Sequence, residues 1–560
     1  MKLAGVWRYL KTARWANLAA ALVVALLLKG GLLLADVVPF NADEAVVGVM
    51  ARHILQGERR VFFYGQASVG SLDAWLIAGV FAVGGQSALA MRLMQVALYL
   101  SIIATTYALG LKIYRSVWMA GAAALFLALP VVLVTLYTTV TQGGCGELLL
   151  IGNLLLLLAL ELRQPRAETA TWRWLLFGLL SGVGFWTSGL VLVYWLPAAA
   201  LLAAGQRERL RKRAGQGWGR AALQWLGWAA GFTAGASPWL WFTLTRSSDT
   251  LLEMFGTTVS AGRPDFSILA VLGHVYNLIL FGLTVMFGLR PPWGARFLAL
   301  PLVPYALVIY TALTLFIFHR SFLSHDAARR GRLLLVGCVL TQAAMFILTP
   351  LGADPSGRYF LPVMPALALL LADLLRPLRQ WLHYPALPPA TGTWLARGRA
   401  LALGVLLLNF WGNLQCAAAF PPGFTTQSVP NTQVDQRHLP ELAAFLRAQG
   451  ETRGYTNYWV AFPLAFLTGD DLVFAARLPY RLDLIYGSRD NRYPPYAQMV
   501  DQSARVAYIT ALQPGLDQRL SEGFGRLGVT YLENQIGDYH IFYALSRKVT
   551  PEELGLPVGN

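Results

Sequence analysis

The chain has 560 residues, 56% of them hydrophobic and only 13% charged, with a mean hydropathy of +0.50. That balance excludes an ordinary soluble globule and describes a polytopic membrane protein. The formal charge of +16 sits in short clusters between apolar runs, not in a basic stripe interleaved with aromatics, which excludes nucleic acid as a partner.

Lys2, Arg8, Lys11 and Arg14 precede an apolar stretch from about Leu18 to Val38, interrupted only by Lys29 and Asp36. About 20 such residues cross a hydrocarbon core of about 30 Å and exceed a signal-peptide h-region. The stretch therefore reads as an uncleaved first span with a cytoplasmic N-terminus. Immediately beyond it stands an acidic pair, Asp43-Glu44. Helical spacing of apolar positions over 45–55 and again over 71–83 predicts two amphipathic helices in the membrane interface. Between them lies the polar turn Tyr64-Gly65-Gln66-Ala67-Ser68-Val69-Gly70-Ser71. A long ordered loop of this kind is expected to bind something, with Tyr64 and Gln66 as its polar contacts.

Further apolar runs fall at 89–111, 116–135, 146–162, 173–188, 189–204, 221–242, 297–318, 332–350, 359–376 and 399–420, making eleven spans with the first. The basic loops carrying Lys112/Arg115, Arg163/Arg166/Arg173, Arg207 to Arg213, Arg320 to Arg332 and Arg376 to Arg399 all face the cytoplasm only if 266–289 does not cross. That stretch, with His274 and Asn277, is accordingly read as a juxtamembrane or re-entrant pair, a twelfth crossing being the alternative. The 173–204 region must hold two short helices. Exterior segments are then 39–88, 243–296 and everything after about Pro421.

The expected division is a transmembrane part, 1–420, and an extracytoplasmic α/β domain, 421–560. In the latter the patterns predict helices at Leu439–Ala448 and 516–527 and strands at 454–459, 472–475, 506–510 and 539–545, punctuated by Gly, Pro, Asn and Asp. Cys145, Cys338 and Cys416 all lie in or beside apolar runs, and the C-terminal region has none, so no disulfide framework is available there. His53 and His274 lack the partner spacing of a zinc site and read as interfacial polar residues.

Five features together resemble a known family: Asp43-Glu44 after the first span, the two-helix first loop, Gly143-Gly144-Cys145-Gly146-Glu147 before the fourth span, Arg358-Tyr359-Phe360-Leu361-Pro362 opening the tenth, and the exterior C-terminal domain. The chain resembles the GT-C glycosyltransferases, polytopic enzymes using polyprenyl-phosphate sugars, and most closely the branch of protein O-mannosyltransferases and bacterial aminoarabinose transferases. No Trp-Trp-Asp-Tyr-Gly motif is present, which argues against the oligosaccharyltransferase branch. Ala67-Ser68-Val69 and Cys145 depart from the pattern, where bulkier aromatic residues are expected.

The resemblance implies transfer of a sugar to an acceptor hydroxyl on the extracytoplasmic face of a prokaryotic plasma membrane, with inversion in one displacement. It casts Asp43 as general base, with Glu44 orienting Asp43 or the acceptor. Arg358 is the expected partner of the lipid phosphate, since a guanidinium pairs with phosphate oxygens bidentately. Tyr359 adds a hydroxyl donor or stacks on the sugar, and Glu147 is expected to face the same cavity. Two exterior acids are the minimum for a divalent cation, but the protein O-mannosyltransferase branch is regarded as metal-independent, so neither metal nor other cofactor is expected. The expected partners are a polyprenyl-phosphate sugar donor, a protein, lipid or glycan acceptor, and membrane lipids.

Each residue also has a plainer reading. Asp-Glu at a helix start is often an N-terminal cap, and Arg358 and Arg92 suit helix anchors at lipid headgroups. Tyr455, Tyr458 and Trp459 are the C-terminal aromatics placed to line a sugar site. The competing class is a lipid-linked sugar transporter or scaffold subunit, but broken helices with midplane charges and internal repeats are not visible.

Overall fold

The computed structural model describes residues 2–164, 171–212, 218–246, 250, 267–323, 326–373 and 391–559. Arg166, Arg213, Arg376 and most of 247–266 lie outside the described residues. Among the described residues, sixteen α-helices precede the C-terminal region: α1 (Lys2–Leu34), α2 (Ala42–Leu55), α3 (Leu72–Gly84), α4 (Ala88–Tyr114), α5 (Val117–Ala128), α6 (Val132–Tyr137), α7 (Cys145–Leu162) and α8 (Thr171–Thr187) come first. They continue with α9 (Leu192–Lys212), α10 (Trp218–Gly235), α11 (Ser237–Thr245), α12 (Ile268–Met286), α13 (Val303–Leu323), α14 (Arg329–Leu348), α15 (Arg358–Ala372) and α16 (Thr391–Ala418).

Among the described residues, eight helices are long and apolar enough to cross a membrane: Trp15–Leu34, Ala88–Tyr114, Cys145–Leu162, Gly189–Arg211, Ile268–Met286, Leu300–Leu323, Arg329–Leu348 and Ala400–Ala418. The runs predicted at 116–135, 173–188, 221–242 and 359–376 are shorter or interrupted helices. α5 stops because Pro130 lacks an N–H and restricts Leu129, and the chain resumes its course as α6. α8 and α10 pack backbone to backbone. A Cβ on Gly178, Gly182, Gly231 or Gly235 would collide with a carbonyl oxygen of the opposite helix, the close approach that small residues allow in membrane bundles.

α12, over the stretch where the sequence left a re-entrant pair and a twelfth crossing open, is long and apolar enough to cross a membrane. His274 Nδ1 lies 2.9 Å from the Ile347 carbonyl and Asn277 Nδ2 donates to the Gly352 carbonyl at 2.8 Å. Farther along, Gly282 packs on Phe360, and Arg290, just past the helix, donates to the Pro355 carbonyl. Both halves of α12 thus meet the 347–360 segment, which takes up the His274 and Asn277 side chains.

The basic loops converge at the opposite end. Glu161 accepts from Lys112 at 2.6 Å and Arg173 at 3.2 Å, and Glu208 from Arg163 at 2.5 Å with Arg330 at 4.0 Å. Nearby, buried Arg332 pairs with Asp326 at 2.5 Å and lies 3.7 Å from Asp373. Four clusters separated by up to about two hundred residues of sequence therefore share one end of the bundle, while Asp43 lies at the other.

The C-terminal region forms α17 (Leu439–Ala448), α18 (Tyr458–Thr468), α19 (Pro494–Gln502) and α20 (Pro514–Arg526) around β1 (Arg453–Thr456), β2 (Val473–Ala476), β4 (Ala507–Ala511), β5 (Leu532–Ile536) and β6 (Tyr539–Tyr543), with a small pair β3 (Tyr486–Gly487) and β7 (Val558–Gly559). The sheet order is β2-β1-β4-β6-β5, with β1 parallel to β2 and β4, and β6 antiparallel to β4 and β5. The four predicted strands and both predicted helices are present. α18, α19, β3, β5 and β7 are additions, α18 having been hidden by its nearly continuous apolar sequence, which shows no clear helical face.

The first loop departs from expectation in one respect. α2 and α3 form where predicted, but α2 does not lie in a membrane interface, because Ala42 and every residue from Glu44 to Ile54 are buried. α18 covers α2, and α2, α3, α18 and the facing side of the sheet share one apolar core. Gly48 permits this contact, since a Cβ there would stand 2.5 Å from the Phe466 ring. Arg52 seals it by donating to the Ala465 and Phe466 carbonyls at the end of α18 and pairing with Asp470 at 2.9 Å.

Candidate active site

Asp43 is the second residue of α2. The capping role open to an acid there is filled by Asn41, whose side chain accepts from the Asp43 and Glu44 amides at 3.1 and 3.4 Å. The Asp43 carboxylate therefore turns to other partners. Oδ1 accepts from the Tyr458 hydroxyl at 2.8 Å; Oδ2 accepts from Gln142 Nε2 at 2.8 Å and Thr426 Oγ1 at 3.1 Å. Four distant segments meet at this one group.

Asp43 lines a cavity of about 270 Å³ together with Gln66, Tyr137, Gln142, Arg358, Tyr359 and Arg492. Gly143 and Gly144 form part of its wall, both with left-handed φ of +65° and +87°, a conformation that other residues adopt only at a cost. That turn sets Gln142 against Asp43 and starts α7. Arg358 follows Gly357, also left-handed, and its Nε lies 2.8 Å from Asp354. Its Nη2 is 3.3 Å from the Tyr359 hydroxyl, and the side chain remains 40% exposed, so part of the guanidinium is open to a ligand. Across the cavity Gln66 turns its amide to Arg492, which donates to the amide oxygen once the two ends are assigned by their neighbours. The Arg492 guanidinium also lies 5.5 Å from the Tyr458 ring centre.

Asp43, Gln66, Arg358 and Tyr359 are thus gathered in one cavity, and three other expected site residues lie elsewhere. Glu44 is wholly buried and accepts from Arg92 through both oxygens, at 3.0 and 2.9 Å. Adjacent helical residues point about 100° apart, so the neighbour of the cavity acid faces α4. Arg92 is correspondingly a buried partner, not a headgroup anchor. Glu147 does not line the cavity although Cys145 and Leu148 do. Its position on α7 turns it instead towards buried Asp73, whose Oδ2 accepts from the Gly144 amide at 3.2 Å. Tyr64 is likewise turned away, donating to Glu58 at 3.0 Å and lying 2.9 Å from His53 Nδ1.

That last contact belongs to a network joining the first loop to the C-terminal region. His53 Nε2 lies 3.4 Å from Asp470, Tyr496 donates to Asp470, and Tyr493 donates to Glu58 at 2.6 Å. Burial opposes the charge on Glu58, but hydrogen bonds from Tyr493, Arg60 and Tyr64 outweigh it and hold the carboxyl below the usual range. Asp470 is held low in the same way, burial being outweighed by His53, Tyr496 and Arg52. His53 is therefore a member of a buried network, not an interfacial residue.

Gln142, Thr426 and Arg492 escaped the sequence reading, because no local pattern marks a residue whose partner lies far away in the chain. Lys29 had one visible signal, a lone cation inside an apolar span. It is buried and donates to the Thr135 carbonyl and to the Thr138 and Thr139 hydroxyls at 2.7, 2.8 and 2.6 Å, anchoring the segment that leads to Gln142. Tyr458 and Trp459 were named as C-terminal aromatics near a sugar; Tyr458 reaches Asp43 itself, whereas Tyr455 is buried on the sheet. No group of three or more His, Cys, Asp or Glu side chains is gathered as a metal site among the described residues.

No family model and no curated protein matches the sequence. Solved structures do match its shape. ArnT from Cupriavidus metallidurans bound to undecaprenyl phosphate superposes with a TM-score of 0.53 at 15% identity, over 94% of this chain and 97% of that one. Its apo form gives 0.54 at 14% identity, over 96% and 98%. The archaeal oligosaccharyltransferase AglB from Archaeoglobus fulgidus, in complex with an inhibitory peptide and a dolichol-phosphate, gives 0.50 at 10% identity, over 97% of this chain and 75% of that one.

Proposed function

We propose that this chain, which has the fold of the GT-C membrane glycosyltransferases, transfers a sugar from a polyprenyl-phosphate donor to an acceptor hydroxyl with inversion. The observation that carries the reading is the placing of Asp43 and a partly open Arg358 in one cavity at the end of the bundle opposite the basic clusters. By the positive-inside rule the basic end is cytoplasmic, which sets the cavity and the C-terminal domain on the extracytoplasmic side of the plasma membrane.

In the proposed reaction Asp43 takes the proton of the acceptor hydroxyl as its oxygen bonds to the anomeric carbon. The bond from that carbon to the phosphate oxygen breaks, and its electron pair stays on the phosphate, which Arg358 stabilises with Tyr359 as a neighbouring donor. Polyprenyl phosphate leaves, and the proton on Asp43 passes to solvent. Gln66 and Arg492 stand where the sugar or acceptor would be held. The acceptor is a protein, lipid or glycan hydroxyl, chosen with help from the C-terminal region that closes the cavity. Glu44 serves by fixing α2 to α4, since an ion pair this deeply buried costs about 3–5 kcal/mol when one partner is removed.

The test is transfer of radiolabelled sugar from a panel of polyprenyl-phosphate donors to membrane extract, comparing the wild type with Asp43→Asn. Loss of a general base lowers the rate about 10²–10⁴-fold. Transfer that Asp43→Asn leaves untouched would remove Asp43 from the chemistry, and a wild type that binds polyprenyl phosphate without transferring sugar would favour a transporter or scaffold.

A further inference from the structure

Beyond the cavity wall, a buried hydroxyl holds the proposed base from behind. Tyr458 is 4% exposed and is not among the residues facing the cavity. Its hydroxyl nevertheless ends on Asp43 Oδ1 at 2.8 Å, 415 positions away in sequence. We propose that Tyr458 is a positioning residue for the transfer, orienting the Asp43 carboxylate so that Oδ1 is the atom that takes the acceptor's proton. This role rests on the glycosyltransferase function proposed for the cavity.

An ionised carboxylate offers about four acceptor positions, two on each oxygen. On Oδ2 two are filled, by Gln142 and Thr426; on Oδ1 one is filled, by Tyr458. Among the described residues Oδ1 is therefore the oxygen with fewer donors. Gln142 and Thr426 define one oxygen only, whereas the third bond, to the other oxygen, fixes the rotation of the group. The acceptor proton moves to Oδ1 while the Tyr458 hydroxyl keeps its own proton and continues to donate.

Tyr458 is itself firmly placed. It opens α18, whose N-terminal cap is Asn457, accepting from the Trp459 amide at 2.9 Å. Arg52 and Asp470 hold the far end of that helix to α2, the helix that bears Asp43. The ring packs between Trp459 and Phe462, with ring centres 5.0 and 5.4 Å away, beneath Arg492. The base is thereby aligned only when the C-terminal region is seated on the first loop.

The experiment is a double-mutant cycle on the full-length protein in detergent or vesicles, with Tyr458→Phe, Asp43→Asn and both. Phenylalanine keeps the ring and its packing, and equal thermal midpoints for wild type and Tyr458→Phe verify the fold. A hydrogen bond to a charged group is expected to change kcat about 10- to 100-fold with KM for the donor unchanged. In the Asp43→Asn background the same substitution should cost nothing further, because the carboxylate it orients is gone. A kcat unchanged by Tyr458→Phe, a loss confined to KM, or fully additive losses would overturn the proposal. Failure of the glycosyltransferase function would show differently, as a wild type without transfer or an Asp43→Asn variant with full activity.

Discussion

Two charged groups at the cavity end of the helical bundle are less completely paired than the cations gathered at the other end. At the basic end the cations of the connecting loops meet carboxylates: Lys112 and Arg173 share Glu161, Arg163 and Arg330 share Glu208, and Arg332 is clasped by Asp326. At the cavity end, among the described residues, Asp43 is held by three neutral donors and no cation, and Arg358 keeps part of its guanidinium open beside Asp354. Paired charges hold helices together, whereas incompletely satisfied ones are what a substrate can complete. An acid or base near a membrane boundary is therefore informative only once its partners are known.

That contrast can be broken most sharply at Arg358. Arg358→Gln removes the one cation expected at the leaving phosphate and should lower kcat about 10²–10³-fold, by analogy with the loss of a transition-state donor, measured by the same labelled-sugar assay. If activity survives intact, the open guanidinium is a helix anchor after all.

A smaller effect is expected at the junction between the first loop and the C-terminal region. Glu58 and Asp470 both have carboxyl groups held below their unfolded range. Each therefore adds stability above its unfolded value, near about 4, and loses it as pH falls through the lower folded value. Thermal midpoints measured downward from neutral pH should fall in that acid window, and the fall should be shallower in Asp470→Asn. An unchanged acid profile in that variant would show that the junction does not depend on this charge.

The least effect belongs to the basic end. Glu161 is 41% exposed, and half-exposed ion pairs are worth about 0–1 kcal/mol. Glu161→Gln should shift stability by no more than that and leave transfer unaltered. A large loss of transfer there would erase the distinction between the two ends.

The adjacent pair Asp43-Glu44 shows where sequence reading stops. Both acids were visible at the exit of the first span, and helical spacing predicted the helix they begin. Which of them faces the cavity depends on how α2 is rotated, and that rotation is set by Arg92 on α4 and by α18, which the sequence gives no local reason to place there. The same holds for Glu147, whose position before the fourth span was legible but whose turn towards Asp73 was not. Gln142, Thr426, Tyr458 and Arg492 are polar residues of ordinary context, and they acquire a role only because loops far apart in the chain meet.

By itself, then, the sequence determined the features that local pattern dictates: the apolar runs that must leave water, the basic loops between them, the alternation of helix and strand after about 421, and the presence of Asp43 and Arg358 near the ends of apolar runs. Hydrophobic transfer and backbone hydrogen bonding act on consecutive residues, so their consequences are written in consecutive residues. The tertiary structure alone decided that α2 is roofed by α18, that Asn41 and not Asp43 caps the helix, and that one carboxylate receives donors from positions 142, 426 and 458. Those outcomes depend on packing between distant segments, whose geometry no single stretch of the chain contains.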